Sequence, residues 1–207
     1  MATSRFFEWF PLAALACWGA LGLTRAFLFR ARGVSVIAAD RQRTTGRMLV
    51  DILALGCLLL WVYEVVAYAW PLGSHVGPAI LTRSLVDSIA VKSFGTVIVC
   101  GALLLYAVAL RDLGGSWRLG IDRTASGPLV TDGVYRWSRH PIYVAFDLVF
   151  VGTFLVLGRL MFLVLAVMWM VLMHVHMRRE EDFLAHLYGD VYRNYCARVG
   201  RYLLWPW

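Results

Sequence analysis

Five long apolar runs alternate with arginine-rich polar segments along the 207-residue chain. The runs cover residues 9–29, 48–70, 88–110, 141–157 and 160–177. Crossing about 30 Å of hydrocarbon takes ~20 helical residues, so the pattern predicts an all-α polytopic membrane protein with about five transmembrane helices. Only Gly158 and Arg159 separate the last two runs, which predicts a tight helical hairpin whose two arms are both near the short end for a span. After residue 177 the pattern changes: Phe183, Leu184, Leu187, Tyr188 and Val191 recur at helical spacing among charged residues. That predicts an amphipathic C-terminal helix at the membrane interface, interrupted by Gly189.

The polar segments give the runs a direction. Arg30, Arg32, Arg41, Arg43 and Arg47 lie between the first two runs. Arg111, Arg118, Arg123, Arg136 and Arg139 lie between the third and fourth, and Arg178, Arg179, Arg193, Arg198 and Arg201 lie in the tail. The other side receives Arg5, Arg83 and Arg159. With five spans the three basic segments share one face, which the positive-inside rule makes cytoplasmic. The N-terminus is then outside and the C-terminus cytoplasmic, in an inner membrane if the source is bacterial and in the endoplasmic reticulum if eukaryotic. A four-span arrangement would split the basic segments between two faces. The chain divides into residues 1–110, three N-terminal transmembrane helices, and residues 111–207, which hold a loop, the hairpin and the tail.

Composition agrees with this picture. The chain is 60% hydrophobic and 16% charged, with mean hydropathy +0.67, well outside the soluble range. The net charge of +7 is explained by the loop arginines, and no basic, aromatic-studded soluble module points to nucleic acid. Cys17, Cys57, Cys100 and Cys196 form no CxxC pair and read as free thiols. The first run continues past Arg25 without a small-residue cleavage signal and reads as a retained span.

Candidate chemistry collects in the second half. The loop RDLGGSWRLGIDRTASGPLVTDGVYRWSRH is rich in turn residues, and Trp117, Tyr135 and Trp137 read either as an interfacial belt or as anchors of an ordered loop. In SRHPIY, Pro141 suits the first turn of a helix, which puts Arg139 and His140 at the helix entrance. Unpaired backbone donors and the positive end of the helix dipole favour anionic or electron-rich groups there. The competing reading is an arginine reaching to the interface beside a hydrogen-bonded histidine. Glu180 and Glu181 sit where the fifth run meets water and need partners, either nearby arginines or a bound ligand. His174 and His176 are two apart and diverge on a helix, so no metal site is expected. Asp87, Glu64 and Asp147 lie in or beside spans. For Glu64 and Asp147 pairing with Arg25 or Lys92 is favoured over a polar path. No GxSxG, Walker or GxGxxG pattern stands out, and five spans without an internal repeat argue against transport.

The ordered segments GPLVTDGVYRWSRHPIY, a short hairpin and REEDFLAHLYGDVYRNYCARV make residues 113–207 resemble the isoprenylcysteine carboxyl methyltransferase family, in a wider group with phospholipid methyltransferases. The resemblance implies an integral membrane methyltransferase that uses S-adenosylmethionine. Its acceptor would be lipophilic and drawn from the bilayer: an isoprenylcysteine-like carboxylate, a phospholipid amine or a small thiol. No obligate protein partner is implied. The resemblance implies that Gly127, Pro128, Leu129 and Val130 line the cofactor and that Tyr135 packs against it. His140, Pro141, Ile142 and Tyr143 would form the helix mouth that receives it, with Glu180 and Glu181 as its carboxylates. Arg139, Tyr143 and His176 would be the catalytic residues, with Arg139 facing either the acceptor or the interface. Carboxyl methyltransferases place an arginine where this chain has His176, a weaker and conditional partner for an anion. Gly200 stands where the family often has proline. The alternative is a reductase of the sterol-reductase type using NADPH, whose tails are similar in style.

Overall fold

The computed structural model describes residues 2–31, 45–70, 76–114 and 129–202. Among these residues six α-helices follow in order: α1 (Ala2–Ala31), α2 (Thr45–Ala69), α3 (Ile89–Leu113), α4 (Pro141–Leu157), α5 (Leu160–Tyr188) and α6 (Asp190–Cys196). Two 3-10 turns, Ala79–Thr82 and Gly133–Arg136, precede α3 and α4. Among the described residues there is no strand, only an isolated bridge between Ser84 and Arg159. Helices α1, α2, α3 and α5 are long and apolar enough to cross a membrane, and α4 is a shorter apolar helix.

Helix α4 is the centre of the bundle. It packs most extensively on α3 and also on α5 and α1, while α2 packs on α5 and α1. The α3–α4 contact is close because two glycines face each other. A Cβ on Gly95 would meet the Gly152 carbonyl oxygen at 2.8 Å and Leu155 Cβ at 2.7 Å, and one on Gly152 would meet Val99 Cγ2 at 2.6 Å. Small residues at such crossings let helix backbones approach in a membrane, where dispersion packing replaces the hydrophobic drive. Through the same core runs a chain of aromatic rings. Tyr106 of α3 and Trp18 of α1 lead to Phe146 of α4, then to Trp169 of α5. Trp169 stacks on Phe150 at 4.6 Å, and Phe150 on Trp61 of α2 at 4.7 Å.

The predicted hairpin is present. Gly158 ends α4 with φ +68°, a left-handed conformation that glycine adopts without steric cost. Its carbonyl accepts from Leu85 and Val86 N–H at 2.7 and 3.2 Å, and Leu160 N–H donates to the Arg83 carbonyl at 3.1 Å. The turn is thereby tied to the segment before α3, with the Arg159 guanidinium over the Tyr68 ring at 4.3 Å.

One element differs from expectation. The amphipathic stretch is no separate helix on the interface; it continues the fifth span, and α5 runs unbroken to Tyr188. No proline or glycine intervenes after the apolar run, so nothing interrupts the backbone ladder until Gly189, at φ +55°. Leu184 and Tyr188 pack against Tyr192, Tyr195 and Val199, whereas Leu187 and Val191 are exposed.

Candidate active site

Pro141 occupies the first turn of α4, and His140 before it is the N-cap, with no side chain capping the end. The backbone N–H groups of Ile142 and Tyr143 therefore have no partner within the helix. The residues leading in are held from both sides. Gly133 takes φ +63° because the Asp112 carboxylate fills the space a Cβ would need, and Asp112 accepts from Val134 N–H at 3.0 Å. From the tail, the Tyr195 hydroxyl donates to the Tyr135 carbonyl at 2.5 Å, Arg139 N–H to the Gly200 carbonyl at 2.9 Å, and Ser138 Oγ to the Arg201 carbonyl at 3.2 Å. Ser138, Arg139 and His140 are consequently buried.

Two adjacent carboxylates meet this mouth in different ways. Glu181 is buried and fully engaged. Arg201 grips it bidentately at 2.9 and 2.6 Å, His140 Nε2 lies 3.1 Å away and Arg139 3.3 Å. The hydrogen bond to Glu181 pushes the Arg201 guanidinium above its ordinary pKa. Arg139 also donates to Cys196 Sγ at 2.8 Å. Glu180, by contrast, has a buried Oε2 with no hydrogen-bond partner, 3.7 Å from His140 Nδ1, and pairs with the Tyr143 hydroxyl.

The remaining sequence candidates fall around this pair. Tyr135 is buried with its hydroxyl 3.5 Å from the Ala109 carbonyl; burial pushes that hydroxyl's pKa well up, and the charge of Glu180 adds to the effect. Leu129 lies against the Tyr192–Tyr195–Val199 cluster, and Ile142 packs on Tyr106, Leu110 and Ala145. Val130 is half-buried. Gly127 and Pro128 lie outside the described residues, as do Trp117 and His75. His176 is one turn before Glu180 on α5 and faces α2, with Nε2 3.4 Å from Asp51 Oδ1. His174 bonds the Tyr202 hydroxyl at 2.6 Å. No group of three or more metal-ligating side chains occurs among the described residues.

Sequence reasoning missed Arg201, Ser138, Cys196 and Tyr195 as organisers of the mouth; none carries a local motif, and each acts across 57 to 63 residues except Arg201, which binds Glu181 across 20. The expected ion pairs also resolve differently. Lys92 pairs with Asp87 at 2.5 Å, and Glu64 accepts from Val76 N–H at 2.9 Å. Arg25 donates to the Gly114 carbonyl. Asp147 is buried on α4 and has no basic partner among the described residues.

Comparison with known proteins fits the geometry. The sequence model of the phospholipid methyltransferase family matches residues 91–191. Protein-S-isoprenylcysteine O-methyltransferase of Schizosaccharomyces pombe is 37% identical over 73 residues, 34% of this chain and 30% of that protein. The chain thus spans under a third of the length of that curated relative. The solved structure of the eukaryotic intramembrane Ras methyltransferase ICMT (isoprenylcysteine carboxyl methyltransferase) superposes with a TM-score of 0.62 at 15% identity, over 99% of this chain and 68% of that one. This last likeness shows the fold. The reductase alternative draws no support from these matches. The family match takes in nearly all of α3, residues 133–143 at the mouth, the hairpin, and α5 with both carboxylates, and the three likenesses together support an isoprenylcysteine carboxyl methyltransferase and phospholipid methyltransferase-like family.

Proposed function

We propose that the protein transfers a methyl group from S-adenosylmethionine to a lipophilic acceptor at the mouth of α4. The observation that carries this reading is the buried, unpartnered Oε2 of Glu180 beside an uncapped helix N-terminus. The pair suits one zwitterionic ligand: the helix end offers N–H donors and positive potential to a carboxylate, and Glu180 offers an acceptor to hydroxyls or an ammonium. The bound cofactor would supply an electrophilic methyl on a sulfonium. His140, Ile142 and Tyr143 would hold its anionic end, Glu180 a polar donor group, and Leu129, Val130 and Tyr135 its apolar surface, with Gly127 and Pro128 continuing that wall. Tyr143, one face toward Glu180, would set the distance between donor and acceptor; positioning of this kind is the main contribution an enzyme makes to a direct displacement. Arg139 and Glu181 would be positioning residues, since Glu181 is held by Arg201, Arg139 and His140, and Arg139 Nη1 is shared between Glu181 and Cys196 of the tail. His176 would border the acceptor side.

S-adenosylhomocysteine is expected to raise the thermal midpoint of the purified protein, and NADPH to leave it unchanged. His140→Ala should weaken S-adenosylhomocysteine binding in a calorimetric titration, whereas Tyr143→Ala should lower turnover more than affinity. Parent-like affinity in His140→Ala removes the mouth from the cofactor site.

The arginine distribution further supports an outside N-terminus and a cytoplasmic C-terminus, so that a water-soluble donor reaches the mouth from the cytoplasm. Reporter fusions at Arg41, Gly120 and the C-terminus should all report cytoplasm. An external signal at any of them reverses the orientation.

A further inference from the structure

A groove between α1 and α3 lies apart from the mouth of α4. Its volume is ≈ 350 Å³, with Ala20, Leu21, Thr24 and Leu28 of α1 on one wall and Ala107 and Leu110 of α3 on the other. The α1 residues recur every three or four positions and so share one helix face. Trp18 against Tyr106, at 4.9 Å, and the Arg25 bond to the Gly114 carbonyl set the two helices parallel. Two of the wall residues are alanines, too small to close the gap between the helices.

The groove has a charged end and an apolar length. Arg25 and Arg111 both line it, and among the described residues no lining side chain is acidic. From Arg25 back to Cys17 it runs about 12 Å along α1, and Thr24 is the one hydroxyl on the way. Arg25 caps the carboxyl end of α3, and Arg111 donates to Asp112 Oδ1 at 3.0 and 3.1 Å. These bonds do not saturate the pair, since a guanidinium carries five donors and the Arg111 side chain is 78% exposed. Asp112 offsets one charge, and Arg30, exposed in the last turn of α1, adds another. Capping α3 would explain Arg25 alone. It explains neither the second arginine nor the apolar space beneath both. A cationic end above an apolar trough at a membrane boundary matches the shape and charge of one lipid class, phospholipids of net negative charge.

We propose that the α1–α3 groove binds one anionic phospholipid, with its phosphate between Arg25 and Arg111 and an acyl chain along Leu21 and Ala20 toward Cys17. The choline of a zwitterionic lipid would bring a cation to the same arginines, so the site selects against it. The site is separate from the α4 mouth and stands without the methyl-transfer reading. It is nonetheless linked to the mouth through one side chain. Asp112 accepts from Arg111 on Oδ1 and from Val134 N–H on Oδ2, and Val134 belongs to the turn that leads into α4.

The test titrates the full chain in detergent with dioleoylphosphatidylglycerol or dioleoylphosphatidylcholine and reads the first bound lipid by native mass spectrometry. The parent should bind phosphatidylglycerol roughly fivefold or more tightly than phosphatidylcholine, the scale of one arginine at a charged headgroup. Arg111→Gln should diminish that preference, and Arg25→Gln combined with it should abolish it. Ala20→Phe, which fills the trough, should weaken both lipids alike. Arg193→Gln removes an exposed tail arginine outside the groove and should leave the preference intact. Equal binding of the two lipids by the parent overturns the proposal, as does an undiminished preference in Arg111→Gln, a variant at an exposed side chain that decides the matter even if the double variant does not fold. The same loss in Arg193→Gln as in Arg111→Gln would make the effect one of net charge and also overturn it. Displacement of the lipid by inorganic phosphate would show a site for a soluble anion instead. A dimeric parent that binds neither lipid would give the groove to a second copy.

Discussion

Glu181→Ala is expected to release the C-terminal tail that follows α5, while Glu180→Gln leaves the protein folded and weakens its hold on S-adenosylhomocysteine. The two residues are adjacent and chemically alike, so their difference is entirely one of surroundings. Removing the Glu181 carboxylate strips Arg201 of both its hydrogen bonds to that group and leaves Arg139 and His140 facing each other in a buried space. Breaking a buried pair by deleting one partner costs about 3–5 kcal/mol, a large share of the stability of an average domain. The tail would lose its attachment to the mouth, and limited proteolysis should cut between α5 and the C-terminus. Glu180→Gln keeps the shape of a side chain whose Oε2 has no hydrogen-bond partner and should move the thermal midpoint little. Its cost should appear in S-adenosylhomocysteine affinity, about 1.5–3 kcal/mol for a charge-assisted hydrogen bond, or roughly tenfold to a hundredfold. Parent-like proteolysis of Glu181→Ala would show that the tail is held by its tyrosine contacts instead. Parent-like binding by Glu180→Gln would make that residue structural.

Gly152→Leu should have the largest effect on the membrane part. The glycine lies against the backbone and side chains of α3, and the facing residue Gly95 has its carbonyl 3.1 Å from where a Cβ would be. Neither is the far end of a flexible side chain, so a leucine can enter only if α3 and α4 move apart. Overpacking a fixed core costs about 1–3 kcal/mol and sometimes more; forcing the most extensive helix contact apart belongs at the upper end. Separation would also drag the Asp112–Val134 tie away from the mouth. The expected result is a protein that aggregates on detergent extraction or melts well below the parent, with no donor binding. Gly101→Leu on α3, where nothing lies within 4 Å, should be tolerated. Equal behaviour of the two variants would mean that the glycine contact is dispensable.

The pattern of apolar runs was enough to place four long helices and the shorter α4, because each run has to satisfy its backbone internally and Gly158-Arg159 leaves no room for anything but a hairpin. Pro141 likewise announced the start of α4. The charge pairing was not legible. Lys92 met Asp87, five residues away, instead of a helix across the bundle, and Asp147 met no base among the described residues, since side-chain direction inside a bundle depends on rotation about the helix axis. The continuous α5 was missed for a different reason: a change from apolar to amphipathic composition looks like a boundary, but the backbone ladder breaks only where a residue such as Gly189 leaves helical geometry. The two carboxylates were legible as a pair, not as a hub and an open ligand group. That distinction depends on Arg201, which the tail brings back from twenty residues downstream.

The short fourth helix has a consequence for where chemistry happens. Its 17 residues span about 25 Å at 1.5 Å per residue, against about 30 Å of hydrocarbon. With the Gly158 turn level with one boundary of the bilayer, His140 at the opposite end is sunk roughly 5 Å beneath the other unless the lipids thin around it. On the proposed reading the donor would then descend below the headgroups, while an acceptor anchored by its own chain would travel only sideways, past a mouth to which the tail is bound through Arg201 and Tyr195.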